Sequence, residues 1–161
     1  LSLYTDKIKK NYDYVIIDCM PSLGMITINA LTAADKVIIP VQAHFLPAKG
    51  MTQLLKTIGR VQRNTNPNLR ISGILLTLVD SRTNLAKEIK KTIQSSYGSK
   101  INMFKTEIPV AVSTAESPSQ GESIFEYDPK STVSEAYRKF AKEVLKNGEK
   151  EKFRDSTGLD R

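Results

Sequence analysis

The sequence predicts an α/β fold, a mostly parallel sheet flanked by helices, and three observations carry that expectation. Short apolar, β-branched runs alternate with segments whose apolar residues recur every three to four positions. Strands that follow one another through helical segments connect by right-handed crossovers, which makes them parallel and buries them under helices. A length of 161 residues admits one domain whose core hides roughly two-thirds of the unfolded surface.

Taken in order, Leu1, Tyr4 and Ile8 mark a short opening helix. Residues 14–18 read as a buried strand. Residues 24–34 read as a helix, and 36–41, Lys-Val-Ile-Ile-Pro-Val, as a second strand. Met51, Leu54, Leu55, Ile58 and Val61 line one face of an amphipathic helix over residues 47–64, which Asn64-Thr-Asn-Pro-Asn stops. Residues 71–79 form another apolar run of strand type. Leu85, Ile89, Ile93 and Tyr97 share a helical face that Gly98 ends. A short strand is expected within 101–108, and a long loop with one helical turn over 109–130. In the last helix Val133, Ala136, Tyr137, Phe140, Ala141, Val144 and Leu145 keep the 3–4 spacing. Thr132 with Glu135 forms a capping-box pattern and Gly148 stands at the expected C-terminal cap. The remainder, residues 147–161, is expected to be a polar, mobile tail.

Composition narrows the classes. Lys and Arg number 24 against 17 Asp and Glu, giving +7 and a pI near 9.5. That balance favours a polyanionic partner, with a solvated lysine-rich surface as the plainer account. One cysteine, Cys19, rules out an internal disulfide framework and fits a reducing cytoplasm. No basic-then-apolar signal opens the chain, and no apolar run approaches the roughly 18 residues of a membrane span. The absence of an initiator methionine suits a fragment. His44, the single histidine, reads as a loop residue packed on Phe45 and not as a metal ligand.

The most specific stretch is Tyr12-Asp-Tyr-Val-Ile-Ile-Asp-Cys-Met-Pro-Ser-Leu-Gly24. An apolar run ends in Asp18 and a turn follows. A strand that delivers one carboxylate at its tip is how P-loop nucleotidases hold the water shell of a magnesium ion. The chain contains no G-x-x-x-x-G-K-[ST] loop. The expectation is therefore the back part of a nucleotide-dependent switch whose phosphate-gripping front part lies upstream.

Six stretches, in the same order, resemble the C-terminal two-thirds of a ParA/Soj-type partition ATPase, a deviant P-loop family. They are residues 12–24, 27–35 (Thr-Ile-Asn-Ala-Leu-Thr-Ala-Ala-Asp), 37–42 (Val-Ile-Ile-Pro-Val-Gln), 73–85 (Gly-Ile-Leu-Leu-Thr-Leu-Val-Asp-Ser-Arg-Thr-Asn-Leu), 116–121 (Glu-Ser-Pro-Ser-Gln-Gly) and 126–131 (Glu-Tyr-Asp-Pro-Lys-Ser). The resemblance implies that residues 1–146 are the C-terminal portion of such an ATPase domain. It further implies ATP and Mg²⁺ as cofactors of the intact protein, with none bound by this portion alone, and homodimerisation around ATP. Non-specific DNA and a ParB-type centromere-binding protein would be the partners, at the nucleoid, with no membrane.

By the same resemblance Asp18 is the catalytic carboxylate that reaches Mg²⁺ through water, although a strand-end cap would explain it as well. One carboxylate is adequate, because magnesium keeps several waters. Pro21, Ser22, Leu23 and Gly24 would be the switch that senses the γ-phosphate, with Met20 where the family often has a first proline; an ordinary strand-to-helix turn is the alternative. Thr77, Pro109 and Val110 would lie near the adenine, unless Thr77 is simply a strand residue. The loop here reads Ile108-Pro-Val-Ala-Val-Ser113, without the arginines and asparagine of Ile-Pro-Arg-Asn-Val-Arg. Arg82, Lys87, Lys90 and Lys91, with Lys100 and Lys105, would make a sequence-blind phosphate stripe. A solvated helix face is the other account, since Lys139, Lys142 and Lys146 decorate the last helix similarly.

Three functions follow: part of a DNA-partition ATPase, inactive without its phosphate loop; a non-catalytic regulatory or dimerisation module of the same fold; and a membrane-cycling ATPase of the MinD kind. The last requires an apolar-faced C-terminal helix, and residues 147–161 offer only Phe153 and Leu159 among charges.

Overall fold

The computed structural model describes residues 1–20, 22–43 and 48–157, with side chains over 1–20, 22–43 and 50–149. The chain is α/β with parallel strands and flanking helices, and it divides into two compact units. Residues 1–39 and 46–73 form the first; residues 40–45 and 74–161 form the second.

In the first unit α1 (Ser2–Ile8) passes through a 3₁₀ turn (Lys9–Asn11) into extended backbone at Tyr12. The strand expected at residues 14–18 does not form. Among the described residues nothing pairs with the backbone there, and Ile16 is 92% exposed. A lone extended segment has no ladder to hold it, however β-branched its sequence. Next come α2 (Met25–Ala33), β1 (Lys36–Gln42) and α3 (Ala48–Asn64), close to the expected bounds. Met51, Ile58 and Val61 of α3 pack in a core with Ala30, Leu31, Ile39 and Leu69. Asn66 ties the unit together: its side-chain amide donates to the carbonyls of Leu31 (3.1 Å) and Ala34 (2.7 Å), groups left without helical partners at the end of α2.

Strand β2 (Arg70–Thr77) pairs with β1. The amide of Arg70 donates to Asp35 O at one end, and that of Ala43 to Thr77 O at the other, so the two strands run parallel. In the second unit residues 74–76 are buried, as a strand covered on both faces requires.

The strand expected within 101–108 appears as two isolated parallel bridges to the β2 region, Ile74–Met103 and Val79–Pro109. The ladder is interrupted between them because the amides of Lys105 and Thr106 turn away to the carboxylate of Glu143, at 2.8 and 3.0 Å. Helix α4 (Asn84–Tyr97) starts where Thr83 Oγ1 accepts the Ala86 amide, and it buries Ala86, Ile89 and Ile93. Leu85, expected on that face, is exposed. Gly98 ends α4 in right-handed, not left-handed, geometry, so space selects it: an added Cβ would meet Gln94 O at 2.5 Å.

The expected long loop over 109–130 folds into α5 (Val112–Glu116), a 3₁₀ turn (Ser117–Gln120) and α6 (Ile124–Tyr127). Gly121, at φ +70°, makes the reversal after the 3₁₀ turn. Helix α7 (Thr132–Thr157) begins one residue earlier than the Thr132–Glu135 box implied. Ser131 Oγ is the cap, accepting the Ser134 amide at 3.1 Å, while buried Ser134 donates back to Asp128 O at 2.7 Å. The helix continues through Gly148, which caps nothing; one glycine costs about 1 kcal/mol in a helix interior, and Glu149-Lys-Glu-Lys that follow are good helix formers.

Candidate functional site

Residues 14–20 leave Asp18 at the end of an extended segment, with its carboxylate exposed. The turn after it is anchored by α2. The Ser22 amide donates to Met20 O at 2.7 Å, Thr27 Oγ1 donates to Ser22 O, and the Ile28 amide donates to Gly24 O at 3.1 Å. Ser22 and Gly24 are therefore held by the first turn of a helix whose buried Thr27 was not singled out from sequence, while Asp18 stands before that anchored turn. Gly24 adopts φ −80°, and an added Cβ would stand 3.8 Å from Ser22 Oγ, so the turn does not demand glycine. Pro21, the other switch candidate, lies outside the described residues, as does His44. Among the described residues no three His, Cys, Asp or Glu gather as a metal cage. A magnesium ion reached through water needs no such cage.

In the second unit the structure brings Thr77, Pro109 and Val110 to one place, the carboxyl end of β2. Thr77 O holds the Ala43 amide at 2.9 Å, the Val79 amide donates to Ile108 O at 3.0 Å, and the Val110 amide donates to Val79 O at 3.3 Å. Carboxyl ends of parallel strands are where open α/β sheets place ligands. Between Thr77 and Val79, Leu78 sits at φ +50°, the one non-glycine residue with positive φ among those described. Such a conformation costs on the order of 1 kcal/mol or more and gathers at functional turns. Nothing in the sequence marked Leu78, because a leucine carries no signal for left-handed backbone.

The four cation candidates differ in their surroundings. Arg82 is not a free cation: its Nε and Nη2 donate to the two carboxylate oxygens of Asp80, each at 2.9 Å. That hydrogen-bonded carboxylate, and then its charge, holds the Arg82 guanidinium pKa above its ordinary value. Lys90 pairs with Glu107. On α4 it flanks the buried Ile89–Ile93 face and so lies beside the 102–108 segment, along a groove of about 300 Å³ lined by Leu76, Gln94 and Phe104 among others. Lys87 and Lys91 point away from the core and are exposed, with no ion pair among the described residues. Lys100 and Lys105 are also exposed. Glu107 was missed from sequence because a counter-ion 17 residues from Lys90 leaves no local pattern, whereas Asp80, two residues from Arg82, was in plain view but not singled out as its partner.

Among the described residues no helix is long and apolar enough to cross a membrane.

A family model described as an AAA domain matches residues 1–71. The sporulation initiation inhibitor protein Soj of Bacillus subtilis is 48% identical over 143 residues, 89% of this chain and 56% of that protein. The chromosome partitioning protein ParA of Caulobacter vibrioides is 43% identical over 134 residues, 83% of this chain and 49% of that protein. The chromosome-partitioning ATPase Soj of Thermus thermophilus is 42% identical over 136 residues, 84% and 54% of the respective chains. The fold is similar to that of cobyrinic acid a,c-diamide synthase from Mycobacterium smegmatis with bound ADP and magnesium. The TM-score is 0.75 at 35% identity, covering 92% of this chain and 52% of that one. The chain spans about half the length of the relatives it matches.

Proposed function

This chain is a homologue of the ParA/Soj-type chromosome-partitioning ATPases, and from that premise we propose that it forms the magnesium-side, base-side and DNA-side surfaces of an ATP-driven partition switch. The observation that carries the reading is the 48% identity to Soj across 143 residues. In this reading Asp18 would hold a Mg²⁺ ion through its water shell, the ion supplying charge neutralisation for ATP phosphates, and Ser22–Gly24 with Pro21 would respond to the γ-phosphate. The end of β2, with Thr77, Pro109 and Val110, faces the base. Lys87 and Lys91, together with Arg82 and Lys90, bind DNA phosphates without reading sequence, which suits a protein that travels over a nucleoid. Homodimerisation around ATP and a ParB-type partner complete the scheme.

The chemistry requires phosphate-gripping amides and a lysine that this chain does not contain. Hydrolysis is therefore proposed only where such a loop is also present. The test compares Mg²⁺-dependent ATP hydrolysis by the 161-residue chain alone with hydrolysis by a protein that joins it to a G-x-x-x-x-G-K-[ST] segment. Activity in the joined protein, lost on Asp18→Asn, is the expected result. Hydrolysis by the chain alone, or a joined protein indifferent to Asp18, would overturn the reading.

A further inference from the structure

The cation patch of the second unit carries its own anions. Asp80 takes the Nε–Nη2 edge of Arg82 with both oxygens, the fork geometry in which a guanidinium also grips a phosphate. The carboxylate is itself fixed, because Oδ1 accepts the Arg82 main-chain amide at 3.1 Å, and the Asp80 side chain is only 25% exposed against 88% for Arg82. The anion is set in the wall and the cation lies over it. Glu107 stands to Lys90 in the same way, at 26% exposure against 57%. Lys87, one turn of α4 before Lys90, and Lys91, next to it in sequence, have no such partners among the described residues.

We propose that Asp80 and Glu107 are built-in competitors for DNA phosphate, holding Arg82 and Lys90 in reserve while Lys87 and Lys91 make the first contacts. The inference rests on the DNA-binding reading above and adds regulation to that same surface. An Arg82 edge already filled by one oxyanion accepts a second only by exchange. The exchange conserves two charge-assisted hydrogen bonds but sets the Asp80 carboxylate, with the guanidinium withdrawn from it, beside a polyanion. Exposed ion pairs are individually small, so the competition tunes affinity and does not abolish it. Counter-ion release counts only cations that engage phosphate, so held cations also flatten the dependence on salt.

The experiment measures binding of the full chain to a short random-sequence duplex across a salt series. Asp80→Asn keeps an acceptor oxygen for the Arg82 amide but removes the charge. It is expected to bind about two- to fivefold tighter, with the log K–log salt slope steeper by up to about 0.9. Glu107→Gln is expected to do the same through Lys90. Adding Arg82→Gln to Asp80→Asn should cancel the gain. Should Asp80→Asn disturb the loop, seen as a lowered melting temperature, Glu107→Gln decides the matter alone. Folded variants that bind no tighter than the unaltered chain, while Lys87→Ala with Lys91→Ala weakens binding, would overturn this inference and leave the DNA-binding reading standing. A chain that shows no salt-dependent binding at all removes both.

Discussion

Glu143 of α7 closes on the main chain of Lys105, its carboxylate accepting that amide at 2.8 Å and the next one, of Thr106, at 3.0 Å. This contact interrupts the ladder beside β2 and fastens the last helix to it, with Phe104 edge-on to Phe140 at 5.0 Å alongside. Partial burial pushes the Glu143 carboxyl up, but the amide donors and the Lys105 charge outweigh it, and the group sits below its ordinary range. A depressed carboxyl stabilises the fold fully above its unfolded pKa, about 4.3, and loses that contribution as pH falls through the lower folded value. Glu143→Gln should therefore melt below the unaltered chain at pH 7, and the gap should narrow on acidification below about pH 4. Melting curves at several pH values decide it, a gap independent of pH being the contrary result.

Asn66 offers a second test of stability. Its amide is a donor to two carbonyls at the end of α2, so replacing it with a group that only accepts puts oxygen against oxygen. Asn66→Asp is expected to cost about 2 kcal/mol or more. Asn66→Ala should cost less, because water reaches carbonyls of a partly buried site. Urea unfolding ranks the two, and equal costs would contradict the donor role.

Lys87 and Lys91 are expected to make the unassisted phosphate contacts. Replacing both with alanine should weaken binding to any DNA sequence alike and flatten the salt slope by about 1.8, two contacts at about 0.9 each. A loss confined to one sequence would point to base readout and against this patch.

Asp18 carries the most specific chemical prediction. In a protein that also supplies the phosphate loop, Asp18→Asn should lower Mg²⁺ affinity or activity about 10–100-fold, as removal of outer-shell metal partners does. Melting of the first unit should stay nearly unchanged, because the carboxylate is exposed and bonds to nothing described. A titration of activity against magnesium measures the first, and calorimetry the second.

Helices were largely legible in the sequence because their signals are local. The spacing of Met51, Ile58 and Val61 on α3, and of Ile89 and Ile93 on α4, reports one buried face wherever the helix docks. The cap of α4 at Thr83 and the run-on of α7 through Gly148 show the grain of such reading: which residue ends a helix depends on what its neighbours bond. Strands were less legible. Residues 14–18 and 101–108 have strand-like composition, yet the first finds no partner among the described residues and the second yields two of its amides to Glu143.

By itself, the order of residues determined the α/β alternation, the likeness to partition ATPases and the identity of the carboxylate and cations to examine, since all of these are written in contiguous motifs. Tertiary structure alone decided that Leu78 would take a left-handed turn at the end of β2 and that Lys90 would meet Glu107. It also showed Arg82 already gripped by Asp80, a short-range pair that a charge count reads as one free cation. The physical reason is the same in each case: a backbone dihedral or an ion pair is chosen by the groups that folding brings near, and sequence spacing does not encode that distance.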